Sequence, residues 1–320
     1  MHDRTQLLNV RSVGREARNI VSLELVHPEG RPLPTWIPGA HVDIRLPSGL
    51  VRSYSLCGDQ EDPRVYRVAV LRADPGRGGS AEIHENALVG RQFSVSLPRN
   101  NFPLRPAPHY LFLAGGIGIT PILAMTRAVS ASGVPWTMVY GGRSRSSMAF
   151  VDELGSLPGG ELVLVPQDEC GLPDLAAAFA ESPEGAVGYC CGPAVMIDAV
   201  LAAGRAVRPD MPILLERFSA DTSGAGRDDR GDEPFEVTLS RTGATVTVPR
   251  GVSVLEAVRA VRPDVMSSCE EGVCSACETA VLDGIPDHRD SVLTPRERAA
   301  NRYMMICVSR SRSPRLVLDL

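Results

Sequence analysis

Lysine is missing from this sequence, so all 33 basic residues are arginine. A replacement that uniform reads as coding bias in a GC-rich genome and not as a phosphate-binding signature. No run of 18 apolar residues occurs, which leaves no candidate for a membrane-spanning helix. The start, MHDRTQLLNV, lacks the basic-then-apolar layout of a secretion signal. The expected address is the cytoplasm, away from any membrane. An excess of positive charge is lacking too: the net charge of −5 argues against nucleic acid as a partner. With 43% hydrophobic and 22% charged residues over 320 positions, the chain has the composition of a globular protein with two or three domains.

From Asn9 to Leu97, short β-branched runs (IVSLELV, AHVDIRL, VRSYSLC, YRVAVLRA, RQFSVSLP) alternate with Gly, Pro and Asp. That spacing predicts an antiparallel barrel with one short helix, roughly Ser80 to Ala87. After the proline-bearing stretch Pro98 to Pro108 the rhythm becomes strand then helix. YLFLAG, WTMVYGG, ELVLVPQ, AVGYCCG and PILLERF are the strands, with helices beginning near Thr120, Ser147, Leu172 and Pro193. This is the pattern of a doubly wound parallel sheet, which binds ligands at the carboxyl ends of its strands. Residues Ser219 to Pro234 have no apolar period and read as a linker spanning roughly 20 Å as flexible coil. FEVTLS and ATVTVP then give a hairpin, VSVLEAVRAV a short helix, and a cysteine-rich loop follows. The expected division is 1–104 barrel, 105–218 α/β domain, 219–234 linker and 235–320 C-terminal α+β domain.

Cys269, Cys274, Cys277 and Cys307 give C-x₄-C-x₂-C with a distant fourth cysteine. Four thiolates at this spacing hold a plant-type [2Fe-2S] cluster. Zinc is the competing metal, but zinc sites usually pair two short ligand arms, whereas here three ligands share one loop. Gly272 lies where that loop must fold sharply. Cys57, Cys170 and Cys190 lack such spacing and read as packed thiols.

Arg52, Tyr54 and Ser55 share a barrel strand and suit a flavin: a guanidinium for phosphate, a ring for the isoalloxazine and a hydroxyl for the edge near N5. Gly76, Arg77, Gly78, Gly79 and Ser80 open the short helix, where bare backbone N–H groups can hold a phosphate. Taken alone, a strand arginine and tyrosine are more often surface and packing residues and the glycine loop an ordinary hairpin; it is their conjunction before a nucleotide fold that points to a flavin. Gly116 and Thr120 lie in AGGIGITP after the first parallel strand, where glycines admit a dinucleotide backbone. Cys191, ending another strand in CCGP, could border the nicotinamide or simply pack. Arg143 or Arg145 could face the adenosine half or be a solvated loop charge.

With RSYSL, GRGGS, PRNNFPL, AGGIGITPILAM, YGGRS, CGP, ERF, SCEEGVCSAC, DHRDSVL and ICVSR in this order, the chain resembles the phthalate dioxygenase reductase family along almost its whole length. The resemblance implies FMN, a preference for NADH, a β-grasp ferredoxin domain placed last, and electron delivery to a terminal oxygenase, either a Rieske-type enzyme or a related demethylase. It implies that Arg52, Tyr54 and Ser55 touch the flavin, that Gly76 to Ser80 hold its phosphate, that Thr120 and Cys191 neighbour the nicotinamide, and that Phe218 lies near the flavin. Ser275 departs from the glycine expected between the second and third cysteines. A monomer is expected. NADH gives up two electrons as hydride while the cluster takes one at a time, so a flavin must stand between them; no protein acid or base is required. Two other readings stay open, a free-standing flavin or quinone reductase and a non-enzymatic redox sensor. Between Asp264 and Asp290 seven acids (Asp264, Glu270, Glu271, Glu278, Asp283, Asp287, Asp290) face one arginine, Arg289, so this stretch is either a docking face for a basic partner or a solvated loop.

Overall fold

The structure is a computed structural model that describes residues 5–73, 76, 78–86, 89–218 and 232–320. Arg77 of the glycine loop and most of the linker, 219–231, lie outside the described residues. The chain divides into two compact units, Met1–Arg217 and Phe218–Leu320.

The first unit begins with seven antiparallel strands: β1 (Thr5–Ala17), β2 (Ile20–Val26), β3 (Ala40–Arg45), β4 (Val51–Ser55), β5 (Val65–Leu71), β6 (Gln92–Ser96) and β7 (Arg99–Asn100), with helix α1 (Gly79–Asn86) between β5 and β6. The order is β4-β3-β6-β1-β2-β5, with β7 on β3. An antiparallel bridge between Leu56, just beyond β4, and Val68 of β5 joins the two ends into a barrel. Alternating side chains such as Leu23, Leu25, Val42, Ile44, Val68 and Val95 point inward and are buried. Strand β1 was not foreseen. Its 13 residues, TQLLNVRSVGREA, bury only Leu8 and Val10. Register shifts between Val10 and Ser12 and between Arg15 and Ala17 let so long a strand follow the curved wall.

A second sheet in the same unit is wholly parallel: β8 (Tyr110–Gly115), β9 (Trp136–Gly142), β10 (Gly160–Pro166), β11 (Val187–Cys191) and β12 (Ile213–Glu216), ordered β10-β9-β8-β11-β12. Chain order reverses between β8 and β11, which is where such sheets open a ligand crevice. Helices α2 (Ile119–Ala131), α3 (Val151–Gly155), α4 (Gln167–Cys170), α5 (Leu175–Ala180) and α6 (Ala194–Val207) cover its faces. The helix expected near Ser147 is a 3-10 turn at Arg145–Ser147, with α3 starting only at Val151. Strand β8 is buried at every position, as a central parallel strand must be.

The second unit is a five-stranded sheet with a crossing helix. Its elements are β13 (Phe235–Leu239), β14 (Thr245–Val248), α7 (Val254–Arg259), β15 (Glu278–Asp283), β16 (Pro286–Asp287), α8 (Pro295–Ala300), β17 (Tyr303–Met305), β18 (Arg310–Ser311) and β19 (Arg315–Leu318). The order β14-β13-β19-β15-β17, with β13 and β19 parallel and β16 paired to β18 apart, is the β-grasp arrangement. Ser253 caps α7 by accepting from the Glu256 amide, and Thr294 with Glu297 forms a reciprocal cap on α8. No helix among the described residues is long and apolar enough to cross a membrane.

Candidate functional site

Strand β4 carries the residues assigned to the flavin. Arg52 lies opposite Ile44, Tyr54 opposite Val42 and Ser55 opposite His41 on β3. Burial pushes the Tyr54 phenol well above its ordinary range, against the pull of the Arg52 charge, so the ring stays neutral. Arg52 lies across the start of α1: a Cβ on Gly79 would stand 2.7 Å from Arg52 Nε and 2.8 Å from its Cγ. The guanidinium and the helix N-terminus are therefore adjacent because residue 79 is glycine. Ser80 Oγ accepts from the Ala73 amide at 3.0 Å, and Glu82 takes the Ser48 amide and hydroxyl at 2.9 and 2.5 Å. These bonds fix α1 against the barrel. Arg52, Gly78, Gly79 and Ser80 thus come together, with Gly76 just before them, at a helix N-terminus flanked by one guanidinium.

Gly115, a 3-10 turn at Gly116–Gly118 and the start of α2 make the second element. A Cβ on Gly118 would fall 2.2 Å from the Cys191 carbonyl, so α2 is pressed onto the end of β11 in a way that only glycine permits. Gly116, at φ +54, faces open space. The Tyr140 hydroxyl donates to its carbonyl at 3.2 Å and accepts from the Ala149 amide at 3.0 Å. Thr120 is buried, with its hydroxyl donated back to Ile117 O at 3.0 Å. Cys191 has no exposed surface, and burial raises its thiol well above the ordinary value, so it is an inert neighbour and not a nucleophile. Arg143 is exposed at the end of β9, while Arg145 pairs with Glu169 of α4 at 3.2 Å. Phe218, 40% exposed, follows β12.

Glu216, in the ERF motif but unassigned by sequence reasoning, ends β12 directly opposite Cys191. The Ser55 hydroxyl donates to its carboxyl. Part of the side chain reaches solvent, but Oε2 is enclosed without a hydrogen-bond partner. Burial pushes this carboxyl up to about 8. The structure thus puts a protonatable group beside Ser55, where the sequence offered no acid or base.

In the second unit the four cysteines are all buried and none is in a disulfide. The Glu271 and Val273 amides donate to Cys269 Sγ at 3.3 and 3.5 Å, and the Cys269 amide to Cys274 Sγ at 3.4 Å. Such donors favour thiolate and suit sulfur bound to iron. Hydrogen bonds from Cys274 and Cys307 hold the Cys269 thiol far below its ordinary range, and those partners are raised in return. Cys269 meets Cys274, and Cys307 meets Cys269 and Cys277. Among the described residues no three His, Cys, Asp or Glu side chains converge as a single-ion site. Gly272 turns the loop at φ +72, and Ser275 takes φ +57 where glycine was expected.

The acidic stretch is laced with ion pairs. Asp264 pairs with Arg262 at 2.9 Å, Glu270 with Arg259 at 2.8 Å, Asp283 with Arg315 at 3.7 Å, and Asp287 with Arg289 and Arg312 at 2.7 and 3.3 Å. Asp290 is buried beside Arg298 and caps the Val292 and Leu293 amides. Arginines, most of them outside the stretch, pair with five of these seven acids.

A family model described as a 2Fe-2S iron-sulfur cluster binding domain matches residues 237–312. Along its length the chain is similar to phenoxybenzoate dioxygenase subunit beta of Ectopseudomonas oleovorans, 43% identical over 316 residues, covering 98% of this chain and 97% of that protein. The crystal structure of an intact type IV self-sufficient cytochrome P450 monooxygenase aligns with TM-score 0.86 and 42% identity over 99% of this chain, which spans 41% of that longer one. That of phthalate dioxygenase reductase, titled a modular structure for electron transfer from pyridine nucleotides to [2Fe-2S], aligns with TM-score 0.71 and 38% identity over 99% and 98% of the two chains. A flavin barrel, a nucleotide fold, a ferredoxin domain with its four cysteines, and likeness over nearly the full length make this chain a member of the phthalate dioxygenase reductase family, oxidoreductases that serve as reductase components of oxygenase systems.

Proposed function

We propose that the chain takes hydride from NADH onto FMN and releases electrons singly through a [2Fe-2S] cluster to a terminal oxygenase, with 1–104 as the FMN barrel, 105–218 as the NADH domain and 235–320 as the ferredoxin domain. The observation that carries the reading is the convergence of Arg52 with Gly79 and of Ser55 with Glu216, which joins a phosphate cradle to a polar edge between barrel and nucleotide fold. When bound, the flavin accepts an electron pair and gives it up one electron at a time, which no side chain can do.

The residues divide that work. Arg52 and the amides of Gly78 to Ser80 bind the phosphate, with Arg77 of the same loop as a further candidate. Tyr54 supplies an apolar, neutral ring beside the flavin, and Ser55 offers its hydroxyl to the flavin edge. Glu216 holds a proton on its carboxyl at neutral pH, and the Ser55 hydroxyl bonds that carboxyl. Gly116 leaves room for the pyrophosphate at the start of α2, Thr120 and Cys191 neighbour the nicotinamide, Phe218 is the aromatic expected near the flavin, and Arg143 faces the adenosine half. Cys269, Cys274, Cys277 and Cys307 would together hold the two irons of the cluster.

FMN is proposed over FAD on the resemblance to the family, since a glycine-rich phosphate loop serves either flavin. Acid extraction of the purified protein should release FMN with about two irons per chain; FAD in the extract would refute the FMN assignment. The oxygenase is proposed to be Rieske-type. The fused P450 relative favours a second reading, in which a P450 haem receives the electrons. Reduction of purified Rieske and P450 oxygenases, each in turn, separates the two.

A further inference from the structure

The barrel and the nucleotide fold of the first unit are tied by two arginines that share Glu153, Arg67 from the barrel and Arg127 from the nucleotide fold. Arg127 lies on α2, seven residues after Thr120, or about 10 Å along the axis. Its Nη1 donates to the carbonyls of Cys57, at 3.3 Å, and Gly58, which directly continue the strand that carries Tyr54 and Ser55. Its Nη2 pairs with Glu153 of α3. Glu153 is held in turn by Arg67 Nη1 at 2.9 Å, and Arg67 Nη2 reaches Glu16 on β1 at 2.8 Å. The Arg67 guanidinium also lies 4.8 Å over the ring of Phe150. Phe150 sits at φ +62, a conformation unusual for a bulky residue, and from it α3 turns to present Glu153. All four charged side chains are 17–29% exposed, so salt screens them less than surface pairs.

We propose that Arg127 is a positioning residue for hydride transfer, setting how closely the nicotinamide held at α2 approaches the flavin held by β4. This rests on the assignment of those two cofactor sites. A guanidinium suits the task because its planar fork engages two carbonyls on one side and a carboxylate on the other at fixed angles. An ammonium is a single point that can hold one side firmly but not both. Hydride transfer needs reacting atoms about 3–3.5 Å apart, and a misplacement of about 1 Å costs on the order of 100-fold in rate. A clamp joining the segments that carry the two reactants therefore acts on rate more than on affinity.

The test uses the full-length protein with its cofactors, Arg127→Lys and Arg127→Met, and anaerobic stopped-flow mixing with NADH. In Arg127→Lys, flavin content and Tm should stay near those of the unaltered chain and the NADH Kd within about twofold. The limiting rate of flavin bleaching should fall roughly 10- to 100-fold. The long-wavelength absorbance of the stacked nicotinamide and flavin rings should weaken in parallel. Arg127→Met should show the same pattern more strongly. If it does not fold, Arg127→Lys decides alone. An unchanged limiting rate and band in Arg127→Lys would overturn the proposal, as would a slower rate fully explained by lost flavin or weaker NADH binding. Failure of NADH to bleach the unaltered chain would instead refute the cofactor assignment beneath it.

Discussion

Replacing Glu216 with glutamine isolates the enclosed carboxyl. Its carboxyl stands at about 8 in the folded chain against 4.5 for the free side chain. The unfolded chain therefore loses this proton first as pH rises, and stability should be fully present below about 4.5 and fall until about 8. Each tenfold step is worth about 1.4 kcal/mol, so the fall between pH 5 and pH 8 is at most about 4 kcal/mol. Halving that for the part of the side chain still in contact with water leaves about 2 kcal/mol, or roughly 4–8 °C in Tm for a unit of this size. Glutamine keeps the shape and the Ser55 bond but cannot titrate. The neighbouring Cys191 thiol, raised by burial, stays neutral throughout. Any cost of enclosing the new amide is the same at every pH. Thermal scans followed by flavin release at pH 5, 6, 7 and 8 should show the Tm of the unaltered protein declining against that of Glu216→Gln by the stated amount. Parallel Tm curves across that range would show that Glu216 does not carry the shifted proton.

Gly79→Ala places a methyl where Arg52 lies and should weaken FMN binding by roughly 10- to 100-fold, the loss of one charge-assisted phosphate bond, read as flavin retained through gel filtration. Glu169→Gln frees Arg145 from its pair and removes a negative charge from the proposed adenosine end; kcat/KM for NADPH relative to NADH should rise roughly 5- to 30-fold, and an unchanged ratio would exclude Arg145 from that site. Because arginines answer the acids between Asp264 and Asp290, association with an oxygenase should slow by less than about tenfold between low and high salt. A steeper stopped-flow dependence would mean that these pairs open on docking.

Where packing is decided locally, the sequence was informative. β2 to β6 and β8 to β12 announce themselves because each alternates or runs in β-branched residues between turn formers, and the four cysteines specify their cluster by spacing alone. β1 escaped because Arg11 and Arg15, turned to solvent, hide an inward row of only Leu8 and Val10. Glu216 was visible only as a letter in ERF; what gives it chemistry is its encounter with Ser55, 161 residues away in the chain, and no local pattern encodes that. For the acidic stretch, a count along the chain leaves out the counter-charges Arg259, Arg262, Arg312 and Arg315, which lie outside the stretch counted. Ser275 shows the limit of residue-type rules: the loop takes φ +57 there although serine, unlike glycine, resists it.

The central claim is that electrons leave through the four-cysteine centre and not from the flavin. Cys274→Ser removes one thiolate in the second unit and leaves Arg52, Ser55 and Glu216 untouched in the first. Mixed with NADH and a purified oxygenase under anaerobic conditions, the variant should bleach its flavin and reduce ferricyanide at the unaltered rate. Oxygenase reduction should fall to background. Oxygenase reduction by Cys274→Ser at the rate of the unaltered chain would contradict the account.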